Sequence, residues 1–110
     1  MTRSSDVVLS GLSGRTYRFG VFPLDAHFRN MGAVYVFSHR TLDSTGKETH
    51  APVYIGQTGE LSAGLFNHKN RSDIKENEAN CLCIHIDWDE MLRAKIEKDL
   101  MVFYNPPGNN

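Results

Sequence analysis

Residues 33–56 read Ala-Val-Tyr-Val-Phe-Ser-His-Arg-Thr-Leu-Asp-Ser-Thr-Gly-Lys-Glu-Thr-His-Ala-Pro-Val-Tyr-Ile-Gly. The stretch opens on Ala33-Val34-Tyr35-Val36-Phe37, an unbroken β-branched and aromatic run of the kind that fills a central strand. It closes on a second short run, Val53-Tyr54-Ile55-Gly56, introduced by Pro52. Residues 39–51 lie between them without periodicity and contain Asp43-Ser44-Thr45-Gly46, a turn composition. The expectation is two strands paired antiparallel across a long loop.

Upstream, Arg15 to Leu24 alternates, with Tyr17, Phe19 and Val21 on one side and Thr16 and Arg18 on the other. That is a half-buried strand stopped by Pro23. Residues 1–14 are Ser-rich, end in Gly-Leu-Ser-Gly and read as a flexible amino-terminal arm. Downstream, Leu61, Leu65 and His68 recur at helical spacing behind Thr58, a residue suited to capping. Residues 71–78 read as a short helix or a loop, and Cys81 to Ile86 as a further strand. A last helix is expected behind Asp87, with Leu92, Ile96, Leu100 and Phe103 as its buried face, ending before Pro106-Pro107. The order is β-β-β-α-(α)-β-α. The fold class is α+β: a small antiparallel sheet flanked by helices, in one domain over residues 15–110.

At 110 residues the chain suits a single modest core. With 40% hydrophobic and 23% charged residues it is neither disordered nor fibrous, and no run approaches a membrane-spanning length. No signal peptide is read at the amino terminus. Two cysteines, Cys81 and Cys83, alternate in an apolar strand and fall on one face, which reads as a pair of reduced, buried thiols in a cytoplasmic chain. A metal site on them is not expected, because the other ligands would have to come from scattered histidines. His27, His39, His50 and His85 show no ligand spacing and receive no role. The net charge of -1 argues against an unaided grip on nucleic acid. The basic residues are weighted toward the first half, where residues 1–50 carry six Lys and Arg against four Asp and Glu.

The order Ala33-Val34-Tyr35, Tyr54-Ile55-Gly56, a helix carrying His68, then Glu97 and Asn109 resembles the GIY-YIG nuclease domain. The second signature triplet stands verbatim, and the first is present as Ala-Val-Tyr with its tyrosine kept. In that family an arginine follows the second tyrosine by ten residues and a histidine comes four later; those positions here are Gly64 and His68. Excision-repair members place proline and asparagine nine and twelve residues after the metal-binding glutamate. Counted from Glu97, these are Pro106 and Asn109. The resemblance covers residues 32–109 and makes the strand before them an addition to a three-stranded core.

The resemblance implies hydrolysis of DNA phosphodiesters with Mg²⁺ or Mn²⁺. Tyr35 would be the general base, Glu97 the metal ligand, and Tyr54, His68 and Asn109 the positioning groups. A phenol ordinarily titrates near pH 10, so that role for Tyr35 needs a neighbouring cation or hydrogen bond. Each residue also has a plain reading: Tyr35 and Tyr54 as core aromatics, His68 as a rim residue. Glu97 would be a solvated helix carboxylate spaced to pair weakly with Arg93, and Asn109 a tail amide. Gly64 is the departure that matters, because losing a cation at a developing negative charge costs orders of magnitude in rate. Lys69, Arg71, Arg40 and Lys47 are the substitutes considered. The chain is therefore read as a GIY-YIG-like endonuclease impaired by Gly64. Alternatives are a degenerate fold that binds nucleic acid or protein, or a purely structural chain inside a larger assembly. DNA is the partner implied and no membrane is. Pairing of copies would raise affinity in so small a module.

Overall fold

The computed structural model describes residues 5–68 and 72–109, without the side chains of residues 66–68 and 73. Five strands form one antiparallel sheet: β1 (Ser5–Ser10), β2 (Thr16–Phe22), β3 (Ala33–Leu42), β4 (Glu48–Thr58) and β5 (Cys81–Ile86). Among the described residues there are also three helices, α1 (Leu61–His68), α2 (Ser72–Glu76) and α3 (Glu90–Tyr104), and a 3-10 turn (Pro107–Asn109). Across the sheet the strands run β1-β2-β5-β3-β4. The fold is α+β.

Two local hairpins, β1–β2 and β3–β4, are joined by β5, which pairs antiparallel with β2 on one side and β3 on the other. Its Cys-Leu-Cys-Ile run is buried on both faces, as a central strand requires. On one face α3 packs Ile96 and Leu100 against Phe19, Val21, Val34, Val36, Ile55 and Cys83. On the other, Leu61 and Leu65 of α1 and Ile74 of α2 cover Ala33, Tyr35, Phe37, Leu82 and Ile84. The result is three layers, helix, sheet and helices, around two apolar interfaces.

Three expectations are corrected. Residues 5–10 are a strand and not part of a loose arm. Paired with Thr16–Val21, they bury Leu9 and pack Val7 against the α3-side core, while Val8 faces outward. The hairpin strands are also longer than read, and the connection shrinks to residues 43–47. Asp43 Oδ1 accepts from the backbone N–H groups of Thr45 and Lys47, closing a tight turn with Gly46 at φ +85°. Finally, α3 is capped by Asp89, not Asp87, its carboxylate accepting from the N–H groups of Met91 and Leu92. Its inward face is Arg93, Ile96 and Leu100, whereas Leu92 and Phe103 are exposed.

Between Phe37 and Ser38 the β3–β4 register slips: Phe37 pairs with Tyr54, but Ser38 pairs with Pro52. Val53 is the extra residue of a β-bulge. Beyond it the alternation of β4 reverses. Tyr54 faces α1, while His50, also even-numbered, faces the opposite side with Ser38. No helix among the described residues is long and apolar enough to cross a membrane.

Candidate active site

Tyr35 and Gly56 are register partners across β3 and β4. A Cβ on Gly56 would stand 2.5 Å from both Cζ and Oη of Tyr35, so the ring lies across the glycine and the position admits no side chain. Tyr54 sits diagonally on the same face, its ring centroid 6.2 Å from that of Tyr35 and the planes only 21° apart. Phe37 meets both edge-on, at 6.1 Å and 6.5 Å. Strand alternation thus produces a wall of three aromatics beneath α1, with Tyr35 buried and Tyr54 half-buried.

β4 is an edge strand, and its backbone at alternate residues points away from β3. Two candidate residues approach those outward groups. The Asn109 side chain accepts from Ile55 N–H at 2.8 Å and donates to Ile55 C=O at 2.9 Å, closing a ring against the strand. Two residues along, the Glu97 carboxylate comes near enough to Gln57 N–H for that group to favour its charged form. The 3-10 turn reaches β4 because Gly108 packs flat on it: a Cβ there would lie 2.6 Å from Val53 C=O. Glu97 is half-buried, and burial pushes its pKa up, against the smaller opposing effect of the Gln57 N–H.

Tyr35, Asn109 and Glu97 therefore meet β4 at the consecutive residues Gly56, Ile55 and Gln57, Tyr35 from the α1 face and Glu97 from the α3 side, and Tyr54 adjoins Tyr35. His68 ends α1, but its side chain lies outside the described residues. Gly64 is on α1 with its Cα turned to Thr58; a Cβ would come within 3.1 Å of Thr58 Cγ2. Lys69 and Arg71 lie outside the described residues. Arg40 pairs with Glu48 at 3.2 Å, and Lys47 is in the hairpin turn, both at the other end of β3 and β4 from Gly56.

One cation escaped the sequence reading. Arg93, only 6% exposed, donates from Nε to Gln57 Oε1 at 2.9 Å and from Nη1 to Asp87 C=O at 3.1 Å. Its guanidinium lies against Gly32 and Gly59, where Cβ atoms would be 2.5 Å and 3.4 Å away. It stands one turn before Glu97 on α3, and that i to i+4 relation to Glu97 was its only signal in the sequence. The guanidinium is spent on Gln57 and Asp87, not on Glu97 as the spacing suggested.

As a metal site, Glu97 offers one hard oxygen donor in a half-buried position. That suits a small divalent cation that keeps most of its waters, as Mg²⁺ does, and does not suit a metal needing a full protein cage. No protein-family model, no curated protein and no solved structure matches this chain.

Proposed function

We propose that the chain is a GIY-YIG-like endonuclease domain that hydrolyses DNA phosphodiesters with Mg²⁺ or Mn²⁺, slowed by Gly64. The observation that carries this reading is the meeting of Tyr35, Asn109 and Glu97 with β4 at the consecutive residues Gly56, Ile55 and Gln57. These residues are drawn from β3, α3 and the terminal turn, and the spacing resemblance had marked all three.

In this reading Tyr35 acts as the phenolate, and its Oη takes the proton of the attacking water. Its ring is held by Gly56 beneath and by Phe37 and Tyr54 beside it, so the oxygen has a fixed place from which to act. Tyr54, more exposed, orients the phosphate. Glu97 holds the cation, which when bound polarises the phosphoryl oxygens and neutralises developing charge. Asn109 fixes β4 at Ile55 and acts as a positioning residue for Gly56 and Glu97. Arg93 braces the Gln57 end of β4 through its side-chain amide. His68 would contact the phosphate or Tyr54 from the end of α1.

The test is cleavage of supercoiled and branched DNA by the purified chain with Mg²⁺ or Mn²⁺. Metal-dependent nicking abolished by Glu97→Ala and lowered roughly 100-fold or more by Tyr35→Phe is the expected result. Nicking that survives both substitutions overturns the assignment.

A second reading, a degenerate fold that binds without turnover, is favoured by one observation: a side chain at position 64 would begin in tight contact with Thr58, its Cβ 3.1–3.2 Å from that side chain. DNA binding at low salt by wild type and Glu97→Ala alike, without cleavage by either, would support it.

A further inference from the structure

The bulge at Val53 turns His50 onto the same face as Cys81 and Cys83, and the three side chains meet. His50 Nδ1 lies 3.8 Å from Cys81 Sγ and 3.9 Å from Cys83 Sγ, and all three ligand atoms fall within 4.8 Å of one another. We propose that His50 Nδ1, Cys81 Sγ and Cys83 Sγ form a structural Zn²⁺ site that clamps the β3–β4 hairpin to β5.

The distances suit that ion. With Zn–S near 2.3 Å and Zn–N near 2.0–2.1 Å, tetrahedral ligands stand about 3.6 Å (N to S) and about 3.8 Å (S to S) apart. The N–S pairs need shorten by only about 0.2–0.3 Å, and the two sulfurs, within 4.8 Å of each other, must close toward about 3.8 Å. All three side chains are nearly inaccessible: 2% for the His50 side chain, 4% for Cys81 and 0% for Cys83. Rigid placement follows from register, since Cys81 and Cys83 pair with Ser38 and Val36, and His50 pairs with Arg40.

The surroundings complete the case. His50 Nε2, the nitrogen turned away from the sulfurs, is 3.3 Å from Glu48 Oε2. A carboxylate on the far nitrogen fixes the tautomer that leaves Nδ1 free to bind metal. Glu48 is itself held by Ser5 Oγ at 3.0 Å and Arg40 Nη1 at 3.2 Å. Ser38 Oγ, 3.1 Å from Nδ1, is an oxygen donor beside the group. Charge favours a divalent ion over Cu⁺: two thiolates neutralise Zn²⁺, and Glu48 is balanced by Arg40, which leaves no net charge in a buried place. A cleft of about 210 Å³ bordered by Phe22, Pro23, Arg40 and Asn80 touches the group at Cys81. This site is on the opposite face of the sheet from Tyr35 and does not depend on the nuclease reading.

Tag-free, reduced full-length chain, stripped with a chelator, should be titrated with Zn²⁺ against a chromophoric competitor, and separately with Co²⁺. One equivalent of Zn²⁺ at submicromolar Kd is expected, with thiolate-to-cobalt charge transfer and the visible bands of a tetrahedral ion. Cys81→Ser, Cys83→Ser and His50→Gln should each lower affinity at least about 100-fold, and Glu48→Gln about 10-fold. Zn²⁺ should also slow the reaction of both wild-type thiols with a disulfide reagent, a readout that needs no variant to fold. The proposal is overturned by any of four results: no binding at micromolar Zn²⁺, a Co²⁺ spectrum without sulfur bands, unprotected thiols, or tight Cu⁺ binding with no Zn²⁺ binding.

Discussion

Asn109 and Glu97 meet one strand at alternate residues: Asn109 accepts from Ile55 N–H at 2.8 Å, and Glu97 lies near Gln57 N–H, with Gly56 between them. A side chain from the terminal turn and one from α3 thus approach the open edge of β4, with α3 on the face of the sheet opposite Tyr35. Edge strands are ordinarily open to pairing with another chain. Here the polar groups that approach the edge are those the sequence had marked for chemistry, so stability and activity can be separated only by choosing substitutions atom by atom.

Asn109→Asp is one such choice. The carboxylate can still accept from Ile55 N–H but cannot donate to Ile55 C=O, and two acceptors then face each other. A loss of about 1–3 kcal/mol is expected in urea denaturation at neutral pH. A change smaller than the error of the measurement would mean that the 3-10 turn does not hold β4 in solution.

Gly56→Ala drives a methyl group into Tyr35 Cζ and Oη, both 2.5 Å from the ideal Cβ. The ring must move, at a cost of about 1–3 kcal/mol, and metal-dependent nicking should fall with it. Thermal melting and nicking assays on one preparation check both. Unchanged melting with unchanged activity would mean that the ring does not rest on the glycine.

Restoring the arginine requires room. Thr58→Ser removes the nearest of three tight contacts, the Cγ2 at 3.1 Å from a Gly64 Cβ, leaves Cβ and Oγ1 at 3.2 Å, and keeps the hydroxyl that accepts from Glu60 N–H at 3.0 Å. In that background Gly64→Arg should raise the nicking rate by about 100-fold, the scale of one well-placed transition-state donor. Thr58→Ser alone should leave the rate unchanged. If Gly64→Arg gives no gain while the double variant melts normally, the position is not equivalent to the arginine of the family it resembles.

Asp99 links the β1–β2 turn to α3. Its carboxylate accepts from Ser13 N–H at 2.9 Å, Ser13 Oγ at 2.7 Å and Tyr17 Oη at 2.7 Å. The Ser13 hydroxyl, then Tyr17, hold its pKa below the usual carboxylate range. A carboxyl depressed in the folded state contributes stability above its unfolded pKa, about 3.9, and loses it as pH falls through the folded value. Wild type should therefore lose stability on acidification below about pH 4, and Asp99→Asn should lose less over that interval while starting lower at pH 7. Urea midpoints between pH 2 and 7 test this, and parallel curves for the two proteins would refute it.

Much of the scaffold was legible because it rests on short-range signals. The runs at 33–37 and 53–56 are β-branched and aromatic, Pro23 stops β2, and Pro106-Pro107 follows the end of α3. Residues 5–10 were missed because Val7-Val8-Leu9 is brief, and its strand character comes from pairing with β2 rather than from its own pattern. The face of α3 was read correctly at Ile96 and Leu100 but not at Leu92 and Phe103, which are exposed, for a different reason. Arg93 goes inward because Gln57 and Asp87 satisfy its guanidinium, and a pattern of apolar spacing has no means of placing an arginine in the core. The meeting of His50 with the two cysteines was hidden most deeply, since counting in twos along β4 from Tyr54 puts His50 on the wrong face until the extra residue at Val53 is known.

The strand order carries a consequence for how the chain is made. β5 lies between β2 and β3, yet it is the last strand to be synthesised, and until residues 81–86 have emerged the two hairpins have no common partner. Each hairpin can form early from local contacts. The joining step has to wait, and it must insert a strand between two partners whose pairings span long stretches of sequence, which slows folding. During translation the inner edges of β2 and β3 stand open, so the interval before β5 arrives is when this small protein is most exposed to aggregation.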